Sequence, residues 1–452
     1  MLQQILFTLV TIIAFSWAAR QFLRIRRNIF LGKTEEISGD ESLRWRNVLL
    51  VAFGQRKMFK NMLPAVFHFF IYAAFLLTQI ELLEIFIDGF FGVHRFFAPY
   101  LSGFYTFVIS FIEVLSILAL VATVIFLARR NLLKLPRFRT AEMTLWPTLD
   151  ANLILLGEIA LITGIFLMNG ADTVLQSVDP MHYPDTGRLA LSAWSGPLLF
   201  GGLPKDALVF LERTGWWLHI LTVFAFLNYL PASKHLHIVL AFPNVWYSRL
   251  TSRGRMQNIP EVQHEVQHML GLQPATIADQ HAEIPEFGAQ DVFGLSWKTL
   301  LDAYSCTECG RCTAECPAHI TGKKLSPRKI MMDIRDRVEE VSKKLDSKAM
   351  QYIHVDKRGE GVFLSPTNFD DGRSLFDAIT PEEIHACTAC NACVEACPVL
   401  IDPLTPILEM RRYEILTQGG GAPGWLPMFN SLENSGAVWQ MGMERQEWRT
   451  QK

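Results

Sequence analysis

All eight cysteines of this 452-residue chain fall into two copies of one pattern. Cys306, Cys309, Cys312 and Cys316 precede Pro317, and Cys387, Cys390, Cys393 and Cys397 precede Pro398. In a C-x2-C-x2-C-x3-C-P run, three thiolates from one turn grip one face of a [4Fe-4S] cube, and the fourth, before the proline, reaches a neighbouring cluster. The repeat therefore predicts two clusters. Cys306, Cys309, Cys312 and Cys397 are expected on one, and Cys387, Cys390, Cys393 and Cys316 on the other. The competing chemistries fit less well, because zinc usually takes two short pairs and disulfides are rare in a reducing compartment.

The histidines suggest a second redox centre. Of twelve, His68 and His219 fall inside apolar runs, and His235 and His237 just beyond one. An imidazole in lipid is costly without a partner or a task, and paired imidazoles from facing helices are the usual axial ligands of a b-type haem. His219 and His237 lie five helical turns apart, about 27 Å on one face if the helix continues past Pro231. His68 with His237 or His235 is the expected inner haem site; the alternative is a satisfied structural histidine. His219 lacks a histidine opposite it, where Thr78 and Gln79 stand. His94 is the candidate second ligand, or His219 hydrogen-bonds a quinone carbonyl. The sequence thus allows one haem or two. Glu81, Glu84, Glu113 and Glu158, also in or beside apolar runs, are candidates either for carrying protons to a quinone or for pairing inside a bundle.

These residues need a scaffold, and half the chain is hydrophobic. Apolar runs at about 2–23, 62–87, 104–127, 149–168 and 207–230 each approach the roughly 20 residues a membrane-crossing helix requires. Arg20, Arg24, Arg26 and Arg27 cluster at and after the end of the first run, which has neither the basic start nor the small-residue cleavage site of a signal peptide. Arg129, Arg130, Lys134, Arg137 and Arg139 follow the third, whereas the outer segments hold only Arg95, Arg188 and Lys205. The positive-inside rule then places the amino terminus outside and, after five crossings, the cysteine runs in the cytoplasm. The net charge of −2 suggests no nucleic-acid-binding face.

The expected fold is all-α: a five-helix transmembrane bundle of cytochrome b type over 1–240, a proline-punctuated linker over 241–294, a helical dicluster domain over 295–416, and a partner-binding tail over 417–452. Helix starts are expected at Ser326-Pro327, Thr380-Pro381 and Thr405-Pro406, with Thr380 and Glu383 forming a capping box just before the second cysteine run. The tail mixes Trp425, Phe429 and Trp439 with polar residues and shows little periodicity. In the linker, His264-Glu265-Val266-Gln267-His268 is a literal H-E-x-x-H. No third ligand is evident, however, and Val262, Val266 and Met269 mark a short amphipathic helix rather than a zinc peptidase.

With these features in place, the chain resembles a known arrangement. The first 240 residues, ending in Leu230-Pro231-Ala232-Ser233-Lys234-His235-Leu236-His237, are similar to the cytochrome b subunit of respiratory nitrate reductase, a fold shared with membrane-bound heterodisulfide reductase. Residues 295–416 resemble the helical ferredoxin of heterodisulfide reductase and of the glycerol-3-phosphate dehydrogenase iron–sulfur subunit. The resemblance implies an electron-transfer subunit in the plasma (inner) membrane, linking a soluble cytoplasmic partner to a membrane quinone, menaquinone by expectation. No residue of this chain is expected to be an acid–base catalyst. Related proteins carry a further cysteine-rich domain with C-C-G motifs. Because every cysteine here is already used, that domain is expected on a separate subunit. An electron-transfer flavoprotein is the expected electron donor; heterodisulfide, lactate and glycerol-3-phosphate systems, or a membrane redox sensor, are the alternatives.

Overall fold

The computed structural model describes residues 1–133, 135–252, 255–256, 258–272, 287–347, 369, 371–438 and 449. Among them the regular structure is helical, and the sole extended pairing is an isolated bridge between Lys33 and Ser296. The chain forms two compact units, one from residues 1–26 and 45–245, the other from 27–44 and 246–452.

Four helices of the first unit are long and apolar enough to cross a membrane: α1 (Leu2–Ile29), α2 (Met62–Phe91), α3 (Gly103–Asn131) and α4 (Trp146–Val178). In the most apolar stretch of α1 only 22% of residues are buried. The remaining apolar side chains thus face outward in numbers that water does not tolerate but lipid does. The short α5 (Ser192–Phe200) precedes α6 (Lys205–Tyr229), which occupies the expected fifth run. Its Lys205, Asp206, Glu212 and Arg213 set it apart from the four strongly apolar helices.

Inside the first unit α6 packs along α4 with almost no space between the backbones. A Cβ on Gly215 would lie 2.5 Å from the Met168 nitrogen, and one on Gly164 2.9 Å from the His219 nitrogen. Glycine pairs of this kind let two membrane helices touch and gain close van der Waals contact. Phe7, Ile85, Ile165, Met168, Trp216 and Phe224 fill the core beside the crossing. α6 does not run on to His237. Pro231, without an N–H and with its ring against the preceding turn, diverts the chain into two 3-10 turns before α7 (His237–Trp246). His219 and His237 are therefore not on one continuous helix face, as an unbroken helix would have placed them.

The second unit takes in residues 27–44, a stretch whose sequence position lies within the 1–240 segment. The Lys33 N–H donates to Leu295 O at 2.7 Å, Trp297 N–H returns to Lys33 O at 3.0 Å, and Trp297 Nε1 donates to Glu35 O at 3.0 Å. Asn28 Nδ2 donates to Tyr304 Oη at 2.9 Å. Here α8 (Pro260–Met269), α9 (Trp297–Tyr304), α10 (Pro327–Ser347), α11 (Pro381–His385), α12 (Leu404–Arg412) and α13 (Trp425–Ser435) are joined by loops. The Thr380–Glu383 capping box forms as its sequence implies. α12 begins at Leu404, two residues before the expected Pro406, and Asp402 Oδ1 accepts the Leu404 and Thr405 N–H groups at 3.0 and 3.2 Å. Lys134, Pro274, Pro285, much of the insertion between the cysteine runs, and Trp439 lie outside the described residues.

Candidate functional site

The two cysteine loops adopt the same unusual backbone. In the first, Glu308 and Gly310 flank Cys309 with φ of 52° and 73°; in the second, Ala389 and Asn391 flank Cys390 with φ of 55° and 62°. Left-handed conformation costs an ordinary residue about 1–2 kcal/mol. Its presence on both sides of the middle cysteine in both copies is a shared device that curls three thiols toward one side. Short helices Arg311–Ala314 and Ala392–Ala396 then carry Cys312 and Cys393 and pack together.

That contact exchanges the fourth cysteines. Cys316, Cys387, Cys390 and Cys393 line one cavity, closed by Leu325, Pro327, Leu404 and Ile407. Cys397 is instead an electrostatic neighbour of Cys306, Cys309 and Cys312. Burial pushes the Cys306 thiol up to about 11 and that of Cys397 up to about 12. Bound iron displaces such protons, so each four-thiol set suits a cluster that carries its own positive charge. Ala389 N–H points at Cys387 Sγ (3.4 Å) and Ile401 N–H at Cys397 Sγ (3.3 Å). Bonds of this kind to ligand sulfur set a cluster's potential. Cations stand close by: Arg335, held to Glu308 at 2.9 Å, is near Cys306, and Arg411 donates to the Ile384 and Cys387 carbonyls. Cys390 is the one exposed thiol.

Three of the four candidate histidines meet at one end of the first unit. The His235 and His237 rings lie 5.9 Å apart, and His68 is near enough to His235 for their charges to interact. His237 Nδ1 donates to Lys234 O at 2.8 Å, which leaves the lone pair on Nε2, the arrangement of an oriented metal-binding imidazole. His68 Nδ1 meets Gln55 Oε1 at 3.0 Å. His235 lies against Phe226, with its Nε2 3.9 Å from Glu158 Oε1. His219 is apart from this group, on α6 against the glycine crossing, and its Nδ1 donates to Leu161 O at 3.2 Å. Thr78 and Gln79 bond back to Phe75 O, and His94 Nε2 is occupied by Asp172 at 2.7 Å.

The carboxylates divide by role. Glu113 accepts the Leu191 and Ser192 N–H groups at 2.8 and 3.2 Å together with the Ser192 hydroxyl, and so caps α5. Glu81 and Glu84 face buried Arg95 at 3.7 and 3.9 Å, and Asp172 faces it at 3.5 Å. Sequence reasoning passed over Asp172 and Glu212. The available signal was Asn169, Asp172 and Gln176 recurring at helical spacing just past the fourth apolar run. On α8, His264 is exposed, and no group of three or more His, Cys, Asp or Glu among the described residues is arranged around a single metal ion.

Residues 305–401 match the family model described as a 4Fe-4S dicluster domain. The chain is 29% identical over 442 residues to a protein from Bacillus subtilis named as a probable iron–sulfur-binding oxidoreductase, FadF, covering 93% of this chain and 57% of that protein. It is 27% identical over 409 residues to an EtfAB:quinone oxidoreductase of Syntrophomonas wolfei, covering 86% and 51%. A probable membrane-anchored ferredoxin of Chromohalobacter salexigens is 31% identical over 160 residues, covering 34% and 22%. The chain spans about half the length of the first two relatives. No solved structure matches. The matched segment holds both cysteine runs, so the chain joins a 4Fe-4S dicluster domain to four helices long and apolar enough to cross a membrane.

Proposed function

We propose that this chain is the electron-transfer subunit of a quinone-linked oxidoreductase in the plasma membrane, passing electrons between a soluble partner and menaquinone. The observation that carries the reading is the exchange of fourth cysteines between two matched loops, in a chain that also bears membrane helices and a histidine trio. Cys306, Cys309, Cys312 and Cys397 would hold one [4Fe-4S] cluster, and Cys316, Cys387, Cys390 and Cys393 the other. His68 and His237 would hold a haem b. His237 is preferred to His235 because its Nδ1–H is already spent on a carbonyl while His235 faces Glu158. His219 has a similarly oriented ring but no facing histidine, which favours one haem over two. These groups, when bound, supply one-electron carriers; the protein's part is to bury, space and orient them.

A parity argument supports five crossings. Residues 27–44 and 246–452 fold as one unit and so share one side of the membrane. The chain between them must therefore cross an even number of times. α2, α3 and α4 alone give an odd number, and counting α6 as a crossing restores the balance. With the basic residues after α1 and α3, that side is the cytoplasm. The similarity to an EtfAB:quinone oxidoreductase supports an electron-transfer flavoprotein as donor. The test is to add a menaquinol analogue anaerobically to purified, cofactor-replete protein and follow the haem α-band. Reduction within the mixing time is expected; no reduction with intact cofactors overturns the reading.

A further inference from the structure

The first unit contains a second site, at the end opposite the histidine trio. There the start of α1, the end of α2, the middle of α4 and the start of α6 line a cavity that is partly open to the surroundings. Its apolar wall is Phe7, Met168, Trp216 and Trp217; Glu212 and His94 are among its polar lining. Glu212 is fully buried, and neither carboxylate oxygen makes a hydrogen bond among the described residues. The adjacent Arg213 stands closest, with Nε at 3.0 Å, and Asp172 and Arg95 are near enough for their charges to act on it. A carboxyl group buried in an apolar bundle without hydrogen bonds is costly unless a ligand takes up its bonding capacity.

We propose that this cavity binds the quinone head group, with Glu212 as its hydrogen-bonding and proton-exchanging contact. The proposal rests on the quinone-linked reading above and gives it a location. A quinone is a flat ring with a carbonyl at each end. It needs aromatic walls, polar groups for its oxygens, and a proton for each oxygen when it is reduced. The two tryptophans and Phe7 supply the walls. Glu212, as the neutral acid, donates its O–H to one oxygen, and His94, fixed through Nε2 by Asp172, is the imidazole on the cavity lining. An anionic lipid head group fits worse, because Glu84, Asp88 and Glu212 outnumber Arg95 and Arg213 on the lining, and the two arginines already lie beside Glu84 and Glu212. Glu212, Trp216 and His219 fall at i, i+4 and i+7 on α6, so His219 lies on the same stripe, about 10 Å along the axis from Glu212. Reduction of the quinone takes two electrons from the chain's redox centres and two protons, one onto each carbonyl oxygen. Glu212 gives one proton and regains it from solvent at the mouth, near Gln3 and Gln4; the second enters from the same solvent. Oxidation of the quinol reverses every transfer.

The test uses the full-length purified protein and the fluorescent quinone-site probe 2-heptyl-4-hydroxyquinoline N-oxide, titrated by quenching. The parent protein is expected to bind about one probe per chain. E212Q, which is isosteric, and W217L are each expected to weaken binding by about tenfold or more while eluting as the parent does with unchanged iron content. E158Q, at the histidine end, is expected to leave binding unchanged. If the parent binds no probe, the quinone-linked reading itself falls. Binding that survives both cavity variants, or that is lost only in E158Q, overturns this location while leaving the quinone-linked reading in place.

Discussion

Cys316 and Cys397 are the residues on which the geometry departs most from simple sequence order, since each belongs with the three thiols of the other run. C397A is therefore expected to lower iron from about eight to about four atoms per chain. Its residual paramagnetic spectrum should match that of C306A rather than C387A; a match to C387A would mean that the fourth thiols are not exchanged. At the histidine trio, H68A and H237A should lose haem, read as the pyridine haemochrome, while H235A retains it. Asp371 offers a pH test away from the cofactors. Bonds from the Arg337 guanidinium, two of them 2.8 Å, and from Lys344 at 2.7 Å hold its carboxyl well below the usual range. A depressed native value stabilises the fold above the ordinary pKa of 3.8, and that stability is lost as pH falls below it. D371N should lower the melting temperature at pH 7, with the gap to the parent closing in acid. The cysteine runs were legible in the sequence because their chemistry is written in local spacing. Arg335 and Arg411 were not, because they reach the cysteine loops only through tertiary packing and follow no period.

Among the elements, the α4–α6 crossing is the most demanding, since its backbones meet at Gly164 and Gly215. G215L should force them apart at a cost of about 1–3 kcal/mol. The expected result is a lower detergent-solubilised melting temperature, with the iron content of the second unit unchanged. Helix positions were readable where a local device marks them, as the capping box does for α11. They were less readable where two devices compete: α12 starts just after Pro403, with the Asp402 carboxylate rather than the Thr405 hydroxyl accepting its first two N–H groups. Glu113 shows the same limit in lipid. An apolar run with one carboxylate does not reveal whether the acid carries protons or, as here, caps a helix far along the chain. α6 was legible as a helix but not as an unbroken one, because Pro231 ends it before the last histidine.

For the molecule as a whole, the parity of crossings makes a testable claim. Fused after residue 452, a fluorescent protein that matures only in the cytoplasm should be bright and alkaline phosphatase inactive; fused in the loop before α3, the phosphatase should be active. The reverse pattern would invert the topology. The broad plan, apolar first half and cysteine-bearing second, could be read from composition. The membership of residues 27–44 in the second unit could not, since Lys33 pairs with residues near 295 through backbone groups that leave no trace in side-chain pattern. That pairing also sets a clock. Lys33 leaves the ribosome roughly ten to fifty seconds before Trp297 does, at typical elongation rates. Through that interval the segment stands without its partner while three or four helices enter the bilayer. Of the two units, the one with the cysteine runs is thus the second to close, after the apolar helices have been made.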